Sequence, residues 1–123
     1  MKFAKYTFLI AGLYGLIVLV PQYFLENRIG VDDPPAITHP EYFYGFIGVA
    51  VAFQIVFLII SIDPLKYRTL MLASMVEKFS FLIAVIALYL QAPTGGQILV
   101  ASLIDGFWGI LFAISYFKTR TAG

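Results

Sequence analysis

The sequence contains no cysteine and only one histidine, and charged residues make up only 12% of its 123 residues. Without cysteine, the chain has no disulfide, no thiolate nucleophile and no cysteine metal ligand. With His39 alone, it also lacks the nitrogen and sulfur ligands that a typical zinc or haem site requires. A net charge of +1 provides no basic surface for nucleic acid. We therefore expect no metal site, no cofactor and no nucleic-acid partner.

The chain is unusually rich in apolar side chains. They account for 61% of the residues, and the mean hydropathy is +0.91, whereas an ordinary soluble domain is roughly 45–50% apolar. Crossing a hydrocarbon core of about 30 Å takes about 20 apolar residues. Four runs meet this requirement, at about residues 6–25, 42–62, 69–90 and 97–117. We predict a single transmembrane domain over residues 1–123, all-α, folded as an integral membrane antiparallel four-helix bundle whose surroundings are the lipid bilayer.

The basic residues predict the orientation of these spans. If the four spans alternate in direction, one side carries six basic residues, Lys2, Lys5, Lys66, Arg68, Lys118 and Arg120. The other side carries Arg28 among four acidic residues, Glu26, Asp32, Asp33 and Glu41. Lysine and arginine are enriched in cytoplasmic loops. The sequence therefore predicts that both termini and the connection between the second and third spans are cytoplasmic.

A few polar side chains interrupt the apolar spans. A charged residue in the centre of a membrane helix costs about 2.5 to 3.5 kcal/mol on insertion, so each one needs a partner or a cavity. The charged residues here are Glu77, Lys78 and Asp105. At 1.5 Å per residue, these three, together with Gln54 and Tyr14, fall about 12 to 18 Å from the cytoplasmic boundary. All four spans thus contribute to one polar layer.

This layer has two interpretations. As a polar clasp that fixes helix register, it pairs Lys78 with Asp105 or Glu77, while Gln54 and Tyr14 satisfy the remaining hydrogen-bonding groups. As a functional site, it makes Glu77 and Asp105 the candidate catalytic acids or ligand contacts. Two aromatic residues, Trp108 and Phe112, follow Asp105 at helical spacing and share its face, where they could line a pocket. Both interpretations stay open at this level.

Small residues form ridges on two of the spans. They are Gly45, Gly48 and Ala52 on the second span, and Ser102, Gly106, Gly109 and Ala113 on the fourth. Such ridges permit close approach of helix backbones. We expect them to pack within the bundle rather than to form a homodimer.

The region from Glu41 to Tyr116 resembles a loose family of small, uncharacterised four-helix bacterial membrane proteins, described as DoxX-like. The residues that carry the resemblance are Tyr44-Gly45, Asp63-Pro64, Tyr67-Arg68, Lys78, and Asp105 with Trp108. Glu77 stands where the family pattern has glycine. The resemblance implies a four-helix architecture and a location in the cell inner membrane, and it brings no settled activity with it.

Three hypotheses for function remain. The favoured one is a non-enzymatic structural or partner-regulating membrane protein, acting on a membrane-protein partner or as a homodimer. The alternative is a binder or enzyme for an apolar ligand such as a quinone, isoprenoid or sterol-like molecule, held by Tyr14, Gln54, Phe81, Trp108 and Phe112 with Glu77 or Asp105 as proton donor. The third is a proton-coupled small exporter. Exporters of that length depend on a glutamate in the first helix, and the first span here has no charged residue.

Overall fold

The computed structural model describes residues 2–32, 37–92 and 96–120, and within these ranges the chain is helical and contains no strand. The α-helices are α1 (Lys2–Leu19), α2 (Glu26–Asp32), α3 (Pro40–Ile62), α4 (Leu70–Gln91) and α5 (Gly96–Arg120), and a 3-10 helix (Val20–Phe24) continues α1. The predicted all-α class is confirmed. Each predicted span falls on one long helix, and the ends differ by at most four residues when the 3-10 helix is counted with α1. These four helices are long and apolar enough to cross a membrane by length and composition.

Proline and aspartate determine where the long helices begin and end. Pro21 lies at the start of the 3-10 helix and interrupts α1, because it has no amide hydrogen to donate to the helix. Pro40 is the first residue of α3, where that missing donor costs nothing. After α3, the Asp63 carboxylate accepts a hydrogen bond from the Lys66 amide at 3.3 Å. Residues 64–69 then form turns that lead into α4.

The helix α2 is the one element in the described ranges that the sequence did not predict. The Tyr44 hydroxyl of α3 donates a hydrogen bond of 3.0 Å to Oε2 of Glu26, the first residue of α2. The Tyr23 ring stacks on Tyr44 with 6.1 Å between centroids. These contacts hold the chain between α1 and α2 against the first turns of α3.

The long helices form two close pairs, and both pairs are antiparallel. Packing is most extensive between α1 and α3 and between α4 and α5, while α1 also packs on α5. As residue numbers rise along one helix of a pair, those of its neighbours on the other helix fall: Phe8 meets Phe57 and Gly15 meets Gln54, while Phe79 meets Gly109 and Leu82 meets Gly106. The interface between α3 and α4 is much smaller, so the bundle is open on that side.

Three phenylalanines join the two helix pairs. Phe8 stacks on Phe112 with centroids 4.2 Å apart, and Phe57 meets Phe112 edge to face at 4.8 Å. All three side chains are fully buried. Aromatic pairs in this geometry contribute about 0.5–1.5 kcal/mol beyond their buried area. The cluster connects α1, α3 and α5, and the buried Met71 of α4 belongs to the same core.

Glycine allows the close approach within each pair. A Cβ on Gly106 would lie 2.7 Å from Leu82 Cδ2, and a Cβ on Gly109 would lie 2.8 Å from the Phe79 ring. The predicted packing role is thus confirmed for the α5 ridge. It is wrong for the α3 ridge. Among the described residues, none comes within 4 Å of where a Cβ on Gly45 would lie, and Ala52 is exposed. The side of α3 that faces α1 carries large residues, and α1 supplies the small ones.

Those small residues are Gly12 and Gly15 of α1. A Cβ on Gly12 would lie 2.9 Å from the Gln54 carbonyl oxygen, and a Cβ on Gly15 would overlap the Gln54 carboxamide. Large aliphatic residues instead point outward along the helices, as Ile17 (74% exposed) and Ile83 (66% exposed) do. Small residues at the close helix contacts, together with an apolar exterior, are typical of helices packed in lipid.

We predict that Gly12→Ala lowers the free energy of unfolding by about 1–3 kcal/mol, because the added methyl group meets a backbone oxygen that cannot move aside. The matched control is Gly45→Ala, where a Cβ meets open space. There the better helix propensity of alanine should leave stability unchanged or raise it by roughly 0.5–1 kcal/mol. Thermal unfolding in detergent, followed by circular dichroism, measures both variants. Equal stability of the two variants would contradict the packing described.

Candidate functional site

Three charged side chains meet in the interior between α4 and α5. Lys78 Nζ donates a hydrogen bond to Asp105 Oδ1 at 3.2 Å, and it lies 3.7 Å from Glu77 Oε2. The Lys78 side chain is 7% exposed, Glu77 16% and Asp105 24%. The Lys78 ammonium also lies 5.3 Å from the centroid of the Phe57 ring, within the range of a cation–π interaction. One buried cation is therefore shared by two carboxylates.

The local sequence explains why Lys78 and Glu77 point to different sides of α4. Adjacent residues on an α-helix are separated by about 100° around its axis, because one turn takes 3.6 residues. Lys78 faces α5, where a Cβ on Gly109 would come within 3.2 Å of Lys78 Cβ. Glu77 is turned toward the open side of the bundle, between α4 and α3. Because Gly109 has no side chain, Lys78 can reach Asp105, which lies one turn before Gly109 on α5.

Gln54 and Tyr14 do not complete this cluster as predicted. The Gln54 carboxamide donates to the Ala50 carbonyl of its own helix at 2.9 Å, and its Oε1 is buried without a hydrogen-bond partner. The Tyr14 ring lies 6.2 Å from Trp108 between centroids. Among the described residues, neither side chain bonds to Glu77 or Asp105. The polar contacts of the cluster therefore connect α4 with α5 only.

A groove and a cavity adjoin the charged cluster. The groove, of about 610 Å³, lies between α3 and α4, and its walls include Phe46, Val49, Phe53, Ala73, Val76 and Phe81. The inner cavity, of about 210 Å³, lies among α1, α3, α4 and α5 and includes Tyr14, Gly15, Gln54 and Lys78. Both Glu77 and Asp105 line both spaces. The charged side chains thus pair with one another, and the two carboxylates also line both spaces.

The groove and the inner cavity share a wall at the level of the carboxylates. Phe46 of α3 and Phe81 of α4 line both spaces, with ring centroids 6.0 Å apart. The charged side chains that line the groove are Glu77 and Asp105, whereas Lys78 lines only the inner cavity. The groove is therefore an apolar space with a negatively charged floor.

Trp108 and Phe112, which in one interpretation could line a ligand pocket with Asp105, line neither the groove nor the inner cavity. Phe112 is fully buried in the phenylalanine cluster. Trp108 packs partly against the same core.

Three residues of α3 that the sequence did not single out also line the groove, Phe46, Ala50 and Phe53. Their spacing of four and three residues places them on one helix face.

Arg68 is a second cation in the bundle, and it is only partly buried. It lies at the opposite end of α4 from its connection to α5. Its Nε donates to the Tyr116 carbonyl at 3.1 Å and to Thr119 Oγ1 at 3.2 Å. The guanidinium lies 3.6 Å from the centroid of the Tyr116 ring. A cation is favourable at a helix C-terminus, where carbonyl groups are left unpaired. Arg68 therefore attaches the turns before α4 to the end of α5, which is a structural role.

No group of three or more histidine, cysteine, aspartate or glutamate side chains in residues 2–32, 37–92 and 96–120 could hold a metal ion. Comparison of the chain with known protein families, with curated proteins and with solved structures finds no match. The resemblance to DoxX-like proteins stays a prediction. The function must therefore be argued from the geometry of the groove, the inner cavity and the charged cluster.

We predict that Lys78→Met lowers the free energy of unfolding by about 3–5 kcal/mol, because it leaves two buried carboxylates without their cation. The control is Lys66→Met, which removes an exposed lysine and should change stability by less than about 0.5 kcal/mol. Thermal unfolding in detergent measures both variants. If Lys78→Met were as stable as Lys66→Met, the ion pairs would not contribute to stability.

Proposed function

We propose that this chain is an integral membrane protein that binds an apolar small molecule in the groove between α3 and α4. The observation that carries the proposal is the position of Glu77 and Asp105. They are the only acidic residues in the predicted spans, and both line the groove. Small-molecule sites combine mostly apolar walls with a few polar groups that orient the ligand, and this groove has that composition.

The size of the groove supports this proposal. A volume of about 610 Å³ lies within the range of about 300–1,000 Å³ that is usual for ligand sites. The groove is open between α3 and α4, which are the least closely packed neighbours in the bundle. In a bilayer, that opening would face the acyl chains. A lipid-soluble molecule could then enter from the membrane without passing through water.

Glu77 and Asp105 also remain the candidate catalytic residues. A carboxyl group at the floor of an apolar groove can exchange a proton with a bound quinone, isoprenoid or sterol-like molecule. Binding alone requires only that these groups orient the ligand. We therefore propose a binding protein as the primary function, with proton transfer by Glu77 or Asp105 as the step that would make it an enzyme.

We further propose that both termini are cytoplasmic and that the protein resides in a bacterial inner membrane. The contacts at one end of the bundle support the proposal that both termini lie on the same side, in the cytoplasm. Lys118 Nζ lies 4.5 Å from the centroid of the Phe3 ring, and Arg68 contacts Tyr116. The N-terminal turn of α1, the turns before α4 and the end of α5 are thus neighbours, so their basic residues are collected at one end. Positive charge of this kind favours the cytoplasmic side.

A partner-regulating role is the second candidate, and it rests on a different surface. The ridge of Gly45, Gly48 and Ala52 on α3 packs against no other long helix: Gly45 has open space beside it, and Gly48 has only the Tyr23 hydroxyl, 3.5 Å from where a Cβ would lie. Exposed small residues permit close contact with another membrane helix. This surface could accept a partner protein or a second copy while the groove remains accessible.

We predict that Ala73→Phe abolishes binding of the apolar molecule, because Ala73 lines the groove and a phenyl ring would fill part of it. The control is Ala87→Phe, which adds the same ring at an exposed position of α4 that does not line the groove. Native mass spectrometry of the protein extracted in mild detergent should detect a co-purifying lipid-soluble molecule in the control. Equal occupancy of the two variants would contradict a site in this groove.

The absence of native cysteine provides a direct test of orientation. We predict that a cysteine replacing Lys5 reacts with a membrane-impermeant maleimide only after the membrane is opened or inverted. A cysteine replacing Glu41 should react in intact spheroplasts, because that residue lies at the opposite end of the bundle. Both positions are exposed in the fold. The reverse pattern of labelling would overturn the proposed orientation.

A further inference from the structure

We propose that the ligand of the groove is a cationic amphiphile, an apolar chain or ring system that carries an ammonium group. Its ammonium group would lie against Glu77 and Asp105, and its apolar part would lie between α3 and α4. This inference rests on the proposed function and specifies the chemical class of the ligand. Three properties of the site support it: its net charge, its unpaired hydrogen-bond acceptors and its shape.

The charge of the site is not balanced by the protein. Glu77 and Asp105 supply two carboxylates, and Lys78 is the only cation among the described residues that line either space. When all three groups are ionised, the cluster has a net charge of −1. An uncompensated charge away from water is costly, and the cost falls when an opposite charge is bound. A ligand with one positive charge would neutralise the cluster, whereas an anionic ligand would raise its net negative charge.

Two hydrogen-bond acceptors of the site also lack donors. Among the described residues, Glu77 Oε2 and Gln54 Oε1 are both buried without a hydrogen-bond partner, and both residues line the inner cavity. Gln54 is only 1% exposed, so bulk solvent does not supply the missing donor. A primary ammonium group carries three donors. A quinone carbonyl carries none and would leave both oxygens unsatisfied.

The shape of the site separates a polar end from an apolar end. The carboxylates lie at the wall shared by the groove and the inner cavity, beside Phe46 and Phe81. From there the groove continues between α3 and α4 with walls that are mainly aliphatic and aromatic. Aromatic rings next to the carboxylates also suit a cation, which they attract through their π-faces. A molecule with one cationic end and one apolar end matches this arrangement.

The test compares three probes with the same alkyl chain, dodecylamine, dodecanol and dodecanoate, against the protein in nanodiscs of zwitterionic lipid. Dodecylamine is protonated at neutral pH. Titrations followed by fluorescence of Trp108, the single tryptophan and one helical turn from Asp105, report binding, and native mass spectrometry reports occupancy. We expect dodecylamine to bind at least tenfold more tightly than dodecanol, and dodecanoate to bind most weakly.

Charge-neutral variants identify the groups involved. Glu77→Gln keeps the 3.2 Å bond between Lys78 and Asp105, so we expect it to fold. It should weaken dodecylamine binding about tenfold and leave dodecanol binding within twofold. Asp105→Asn serves as a second variant with the same expected selectivity. The matched control is Glu41→Gln, which removes one negative charge from an exposed position outside the groove and should change neither affinity.

The outcomes separate this inference from the function on which it rests. If dodecanol binds as tightly as dodecylamine and Ala73→Phe abolishes both, the groove is a ligand site and the cationic preference is wrong. If Glu41→Gln weakens dodecylamine binding as much as Glu77→Gln does, the preference comes from overall charge, which also overturns the inference. If none of the probes binds to a folded protein and no molecule co-purifies with it, the proposed function fails as well.

Discussion

The ion pair between Lys78 and Asp105 is the interaction on which the arrangement of the bundle interior depends. A lysine side chain in this position must have a carboxylate within reach, because an unpaired ammonium in an apolar interior is strongly unfavourable. The 3.2 Å bond to Asp105 fixes the register of α4 against α5. The glycines of α5 make that distance attainable, since the Leu82 and Phe79 side chains occupy the space that their Cβ atoms would need.

This pairing has a consequence for the other side of α4. Because Lys78 faces α5, Glu77, about 100° further around α4, lies on the side of the helix that lines the groove. Its carboxylate still lies 3.7 Å from Lys78 Nζ. The helices α4 and α5 form one close pair, α1 and α3 form another, and the phenylalanine cluster of Phe8, Phe57 and Phe112 joins them through α1, α3 and α5. The interface between α3 and α4 is smaller than those within the two pairs. The groove, which is lined by Glu77 and Asp105, occupies the gap that remains between these two helices.

For the membrane protein proposed here, the composition of the interior follows from the absence of a hydrophobic driving force between helices in lipid. Close packing and satisfied hydrogen bonds must hold such helices together. The buried hydroxyl groups of Ser74, Ser102 and Ser115 each donate to a carbonyl of their own helix at 2.8–2.9 Å, so they add little bulk and leave no unpaired donor. Three buried side-chain atoms in the described part of the chain have no hydrogen bond: Arg68 Nη2, Glu77 Oε2 and Gln54 Oε1. The last two belong to residues that line the inner cavity, where a ligand could supply the missing donors.

The sequence by itself determined the helical class and the four long apolar helices, because apolar run length depends only on local chemistry. A rise of 1.5 Å per residue also placed Glu77, Lys78 and Asp105 at similar heights along the bundle. The sequence also indicated that Lys78 would pair with an acid. It could not show that Gln54 and Tyr14 stay out of the cluster, that the α3 ridge faces outward, or that Phe112 belongs to the core. Those features depend on the rotation of each helix about its axis and on which helices pair most closely. Only the tertiary structure decided them, because side chains that share a depth meet only when their helices turn the right faces toward each other.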